Sequence, residues 1–407
     1  MTILIADYIY TPNGFETSKA IAFEETIVAI DNLETLIEQY PDAKRIRTDP
    51  YTVIYPGFIN THVHLEFSAN KTSLSYGDFI PWLYSVIEER DQLMQACDNA
   101  QMKQATQEML HSGVTTFGAI SSFGLELEVC QETPQRVVLF NELIGSNAQY
   151  ADMLYGDFKE RLEATLQLSP KHRITPAIAI HSPYSVHPIL IERAVRLAKE
   201  HQLPLSAHFL ESAPEREWLE KAQGAFLTFF EKFFQTSTPV NDIDSFLHTF
   251  ETYPTHFTHA TEATKEELIY LKECGHSIAH CPRSNRYLGC RRLPLETLHE
   301  IALPYSVATD GLSSNDSLNI FDEFRSALML HNTLPLQPLA NRLIEASTTQ
   351  ASKILKSNGG LLAVGRDADF ALVTLPDLPK EKEAIALWTI LHTKEASSVY
   401  IAGERVV

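Results

Sequence analysis

Two histidines separated by a single residue, His62 and His64, end the apolar run 53–64. On a strand, residues i and i+2 share a face, so both imidazoles can reach one ion. Imidazole suits zinc or ferrous iron. Taken alone, the pair reads equally well as two ordinary histidines near a strand end, in a chain that holds 16. A cupin-type site with Glu66 as third ligand is a further reading, and it requires an all-β jelly roll. Residues of the same chemical kind recur at the ends of later apolar runs: His181, His208 with Glu211 three residues on, His259, His280 and Asp310. Asp310 precedes Gly311 and is also a natural turn former. His280 also reads as a packed core histidine. Gathered in one place, these side chains suit metal-assisted hydrolysis, in which an ion acidifies a water and a neighbouring base takes its proton.

Gathering them requires a particular set of elements. Eight runs have strand character, at 53–64, 114–121, 136–144, 174–181, 205–211, 256–260, 277–280 and 305–310. Each is short, apolar or β-branched, and reads as buried on both faces. The stretches between them have helical spacing. Over 188–203, Leu190, Ala194, Leu197 and Ala198 share one face. Segment 264–274 opens on Thr264 and Glu267, a capping box, and stops at Gly275. The alternation predicts an α/β fold, a (β/α)8 TIM-type barrel whose C-terminal strand ends meet at one mouth. Six of the eight runs end in a candidate ligand or proton carrier, so the mouth would collect them. A doubly wound sheet is the alternative, but the Gly-rich phosphate loop that normally announces it is missing. The helical stretches oppose the jelly roll.

The chain ends differ from the middle. Residues 3–9, 20–30, 46–54, 369–374 and 398–406 are strand-like, with turns at 12–14, 31–32 and 402–403. They predict a small β-sandwich domain formed from both termini, 1–55 and 356–407, beside a metal-dependent barrel at 56–355. Among 407 residues, 44% hydrophobic and 21% charged, a formal charge of −19 leaves no electrostatic footprint for nucleic acid or an anionic membrane. The N-terminus lacks a basic region and cleavage site of secretory type, and no run of 18 apolar residues occurs. The five cysteines (97, 130, 274, 281, 290) form no CxxC and read as reduced thiols in a cytoplasmic protein. The H-x-E…P-C-x-x-C signature of the cytidine-deaminase fold is absent. The expected partner is a small molecule, with no nucleic acid and no membrane; a homo-oligomer is compatible with the sequence.

The motifs PGFINTHVH (56–64), HSPYS (181–185), HFLES (208–212), THATEAT (258–264), HCPRSN (280–285) and ATDGLSSN (308–315) together resemble the amidohydrolase superfamily, within it the deaminase and chlorohydrolase branch. The resemblance implies one divalent metal ion per chain, zinc or ferrous iron, held by His62, His64, His208 and Asp310. It assigns catalysis to Glu211 and His259, with Asp310 sharing the proton work. No barrel lysine is placed to become the carbamylated bridge of binuclear members. A closer resemblance, to the aminofutalosine deaminases, rests on HLEFSANK (64–71), YGDF (76–79) with Trp82-Leu83, HFLES followed by Glu217-Trp218, and SVATDGLSSN (306–315). It implies hydrolytic deamination of an adenine-containing purine nucleoside, 6-amino-6-deoxyfutalosine to futalosine plus ammonia. Deaminases of S-adenosylhomocysteine, methylthioadenosine, adenosine and guanine, and the chlorohydrolases, share much of the frame. A substrate with a benzoate-like tail calls for an aromatic surface and an arginine. His181, Trp82, Arg283, Ser284 and Asn285 are the expected substrate contacts. Among Arg283, Arg286, Arg291 and Arg292, Arg283 comes first because it lies closest to a strand end.

Overall fold

A computed structural model describes residues 1–70, 72–168 and 172–407; Lys71, the last residue of the HLEFSANK motif, lies outside them. Eight parallel strands follow one another in sequence order: β1 (Phe58–Val63), β2 (Val114–Ser121), β3 (Arg136–Leu143), β4 (Ile174–Ile180), β5 (Leu205–Phe209), β6 (His256–His259), β7 (Ser277–His280) and β8 (Tyr305–Val307). The sheet closes on itself. The Asp310 N–H donates to the His62 carbonyl at 3.1 Å, and the Thr61 and Ser306 hydroxyls meet at 2.6 Å. The expected (β/α)8 barrel is therefore present.

Part of the interior is apolar: Ile59, Ile120, Val138, Phe140, Ala177 and Ala179 pack with Ala351 and Leu355 of the helix Thr349–Leu355. Another part is polar and satisfied. His256 bonds the Ser277 hydroxyl through Nδ1 and the Thr61 and Ser306 hydroxyls through Nε2. Such pairing removes most of the cost of a polar group in a dry interior.

The run 53–64 is two strands, not one. Thr52–Pro56 belongs to another sheet, where it pairs antiparallel with Phe370–Thr374, and the chain enters the barrel only at Phe58. Gly57 makes the step possible, because a Cβ there would lie 2.0 Å from the Thr115 hydroxyl. Several other barrel strands end earlier than their apolar runs, since His181, Glu211 and Asp310 have left the ladder for the loops of the mouth.

Both ends of the chain fold together. One sheet has the order Ile27–Asp31, Ala20–Phe23, Thr2–Ile5, Lys44–Arg47; the other runs Glu404–Arg405, Ser398–Ile401, Phe370–Thr374, Thr52–Pro56, Tyr8–Thr11, Gly14–Glu16. The strand-like stretches 3–9 and 46–54 each divide because the chain crosses from one sheet to the other within them. Leu4, Ile21, Phe23, Ile54, Phe370 and Tyr400 pack between the sheets. A helix the apolar pattern did not separate, Ile385–His392, lies in the C-terminal segment and packs on the helix Leu336–Ala346.

Of the helices read from spacing, Pro188–His201 and Lys265–Glu273 are present, the second with both bonds of the Thr264/Glu267 capping box. Two further helices roof the mouth side. Phe79–Ala96, capped by the Asp78 carboxylate, meets Ala225–Phe234 through Phe79 on Phe226 and Tyr84 on Phe229. No described helix is long and apolar enough to cross a membrane.

Candidate active site

Each strand end delivers its side chain through a local device. Leu210, His259, Ala260 and Asp310 all have positive φ, between 44° and 73°. Non-glycine residues adopt this conformation at a cost of order 1 kcal/mol or more, and it concentrates at functional sites. The turn after β5 is held by Glu215, whose carboxylate accepts the N–H groups of Leu210 (3.1 Å) and Glu211 (2.8 Å), while the Thr261 hydroxyl donates to the Glu211 carbonyl. The turn after β8 is held by the Asp310 carboxylate itself, which accepts the Gly311 N–H at 2.9 Å.

These devices aim three imidazoles at one point. His64 Nε2 lies 3.1 Å from His62 Nε2 and 3.3 Å from His208 Nε2. Asp310 Oδ1 is 3.7 Å from the Nε2 of His62 and 3.6 Å from that of His64. A tetrahedral ion with bonds of about 2.05 Å separates its donors by roughly 3.3 Å. The donor set therefore fits one divalent ion. His208 donates from Nδ1 to the His181 carbonyl at 2.6 Å, which leaves Nε2 with its lone pair for the ion. Burial, then the neighbouring His62, pushes His64 down to about 3, and burial likewise holds His208 well below the usual histidine range. Neutral imidazoles are the form a metal needs. Burial raises Asp310, but the His62 hydrogen bond and the surrounding histidines outweigh it and hold the carboxyl well below its ordinary value.

Beside this group stands a second one, Glu211, His259 and Asp310. His259 Nε2 lies 3.5 Å from Glu211 Oε1 and 4.0 Å from Asp310 Oδ2. Its Nδ1–H donates to Asn285 Oδ1 at 2.8 Å, so Nε2 is the free basic nitrogen. Burial drives His259 down to about 4. Burial, followed by the charges of Asp310 and Glu215, drives Glu211 the other way, well above the carboxylate range. Burial thus favours the protonated carboxyl on Glu211 and the neutral ring on His259, the pairing acid–base chemistry uses.

The remaining expected residues fall in varied places. His181 is partly exposed at the mouth, its Nδ1 bonded to the Ser185 and Ser182 hydroxyls and its ring 5.3 Å from that of His208. Trp82 donates its indole N–H to the Ser313 carbonyl and packs on Phe79. Ser284, expected to touch substrate, donates to Asp310 Oδ2 at 2.7 Å, as Ser314 does at 2.9 Å. Asn285 orients His259. Arg283, expected to take a substrate carboxylate, is buried, its guanidinium held by Asp316, Asp322 and Glu323. Its nearness to a strand end in sequence reflects an ion cluster inside the fold. Arg292 is paired with Glu296, and Arg291 is exposed and 3.6 Å from Glu262. His280 bonds His331, on the helix side of the barrel wall. Glu66 is no ligand. Its carboxylate accepts the N–H groups of Ser122, Phe123 and Leu125, fastening the loop after β2.

The profile of the amidohydrolase family matches residues 53–406. The aminodeoxyfutalosine deaminase of a Nitratiruptor species is 45% identical over the whole of both chains. The adenosine deaminase of Helicobacter pylori is 35% identical over 95% of this chain and 94% of its own. The crystal structure of Helicobacter pylori aminofutalosine deaminase in complex with methylthio-coformycin superposes with a TM-score of 0.94 at 33% identity, covering all of both chains.

Proposed function

Because the chain belongs to the amidohydrolase family, we propose that it is a metal-dependent hydrolytic deaminase that converts 6-amino-6-deoxyfutalosine to futalosine and ammonia. The observation that carries the chemistry is the meeting of His62, His64, His208 and Asp310 beside the Glu211–His259 pair. The full-length likeness to an aminodeoxyfutalosine deaminase carries the choice of nucleoside.

One divalent ion, zinc or ferrous iron, held by those four residues supplies a water acidic enough to react near neutral pH. The chain's own residues do the rest. His259 Nε2 takes a proton from the attacking water, and Asn285 keeps that nitrogen turned to the work. The protonated Glu211 donates to a ring nitrogen of the adenine, which makes the adjacent C6 electrophilic. Asp310, gripped by Ser284 and Ser314, stays ionised and fixes the direction of approach. The proton taken from water passes from His259 to the amine, which leaves as ammonia; the C6 hydroxyl gives its remaining proton back to Glu211 as it becomes a carbonyl, and the ring nitrogen keeps the proton it received. His181 and Trp82 flank the mouth and are proposed as substrate contacts. The substrate is a small molecule, and no nucleic acid enters the reading.

Ammonia release is to be measured with aminodeoxyfutalosine, adenosine, S-adenosylhomocysteine, methylthioadenosine and guanine. The expected result is the highest kcat/KM for aminodeoxyfutalosine. A clear preference for any of the others would replace the substrate and leave the chemistry, whereas halide release from a chlorinated ring without deamination would replace the reaction itself.

A further inference from the structure

β3 also brings an acid to the mouth. Along β3 the residues Val138 and Phe140 point into the barrel centre, where they pack with Ile59, Ile120, Ala177 and Ala179. Strand alternation puts Glu142 on the same inward face, one step nearer the mouth. Glu142 is 1% exposed. Its Oε2 accepts the Ser122 hydroxyl at 2.6 Å. Its Oε1 has no hydrogen-bond partner and is itself buried. Among the described residues, the basic nitrogen within ion-pair reach of that oxygen is His208 Nδ1, at 3.8 Å. Arg161, packed beneath, gives its two terminal N–H groups to the carbonyls of Ser121 and Glu142, and offers the carboxylate its charge but no hydrogen bond.

A buried carboxylate oxygen without a donor is expensive unless a positive charge stands near it. In the metal reading that charge is available. The four ligands contribute a single carboxylate, Asp310, against a divalent ion, so the centre keeps a net positive charge. Glu142 lies behind His208, on the side of the ring opposite the nitrogen that faces the ion. The His208 Nδ1–H is taken by the His181 carbonyl, so Glu142, 3.8 Å from that nitrogen, acts on the centre through its charge and not through a hydrogen bond.

We infer that Glu142 is a positioning residue for the ion: its carboxylate, 3.8 Å behind His208, balances the charge of the centre from inside the barrel without touching the substrate. The inference rests on the metal reading.

The test is a zinc titration of the full chain in competition with a chromophoric chelator. Glu142→Gln keeps the shape and the Ser122 bond and removes the charge; its affinity for zinc is expected to fall about 10- to 100-fold, with circular dichroism of the metal-free protein unchanged. Glu142→Asp keeps the charge but draws it back from His208, and is expected to bind zinc several-fold more weakly than the parent and more tightly than the Gln variant. A Gln variant that binds like the parent, or an Asp variant no better than Gln, overturns the inference. Should the Gln variant not fold, the Asp variant decides, and parental affinity there overturns it equally. His208→Ala is the separate control. If that variant keeps its zinc, the metal reading has failed; if it loses zinc while Glu142→Gln does not weaken binding, only the role of Glu142 has failed.

Discussion

Glu211 and His259 sit 3.5 Å apart with opposite protonation preferences. Burial and nearby carboxylates favour the protonated form of Glu211, while burial disfavours that of His259. Glu211→Gln keeps the shape and loses the transferable proton. Ammonia release should fall about 10²- to 10⁴-fold, with metal content by elemental analysis unchanged; near-normal turnover would remove Glu211 from the acid–base role. The same pair sets the pH dependence. The working form has His259 neutral and Glu211 protonated. On the acid side, activity is lost as His259 gains a proton, near its value of about 4. On the alkaline side it is lost as Glu211 gives its proton up, at a pH raised well above the carboxylate range. A profile of kcat/KM against pH should therefore be bell-shaped, and an alkaline limb that persists unchanged in Glu211→Gln would have another origin. The six residues of this chemistry are legible in the sequence because each ends or directly follows an apolar run. Glu142, Glu215 and Ser314 are not, since nothing in a linear pattern shows that one faces His208, one fastens the Glu211 turn and one grips Asp310.

At the scale of elements, the period of the apolar runs is enough to find all eight barrel strands. It fails where a strand changes sheet without a break in apolar character, as at Gly57. Nor does it show the surroundings of Arg283: distance along the chain from a strand end does not announce that Asp316, Asp322 and Glu323 gather around the guanidinium. The glycines carry the information that periodicity lacks. Gly118 lies in β2, and a Cβ there would stand 2.4 Å from the Thr61 carbonyl oxygen and 3.0 Å from the Phe140 ring. Thr61 directly precedes His62, so β1 has to move before the added methyl can fit. Gly118→Ala should cost roughly 1–3 kcal/mol, the usual range for overpacking a filled core, read from denaturant unfolding. Zinc occupancy at limiting zinc should fall with it. A variant as stable as the parent would mean that β1 yields freely at this point.

Over the whole molecule, the four residues proposed as ligands are distributed so that an ion they held would be tied to the fold. His62 lies in β1 with His64 directly after it, His208 lies in β5, and Asp310 stands just beyond β8. β1 and β8 are the first and last barrel strands, and among the described residues the sheet closes between them through few bonds: the Asp310 N–H to the His62 carbonyl, the Thr309 N–H to Asn60 Oδ1, the Asn60 amide N–H to the Thr309 hydroxyl, and the Thr61–Ser306 contact. In the proposed reading, an ion shared by His62, His64 and Asp310 would span that seam, and through His208 it would tie the seam to the opposite wall. Anything that binds the folded chain and not the unfolded one stabilises it by mass action, by about 2.7–4.1 kcal/mol at 100 to 1,000 times the dissociation constant. With an unfolding entropy of about 2.1 cal/mol/K per residue, a chain of this length should lose roughly 3–5 °C of Tm when a chelator removes the ion. The loss should be reversed by adding zinc. Hydrogen exchange should localise it, with amides of β1 and of the 305–310 stretch exchanging faster in the metal-free protein while those of Thr52–Pro56 and Phe370–Thr374, in the terminal sheet, keep their protection. Equal acceleration in both regions would mean that the ion stabilises the chain as a whole instead of clasping the barrel at its seam.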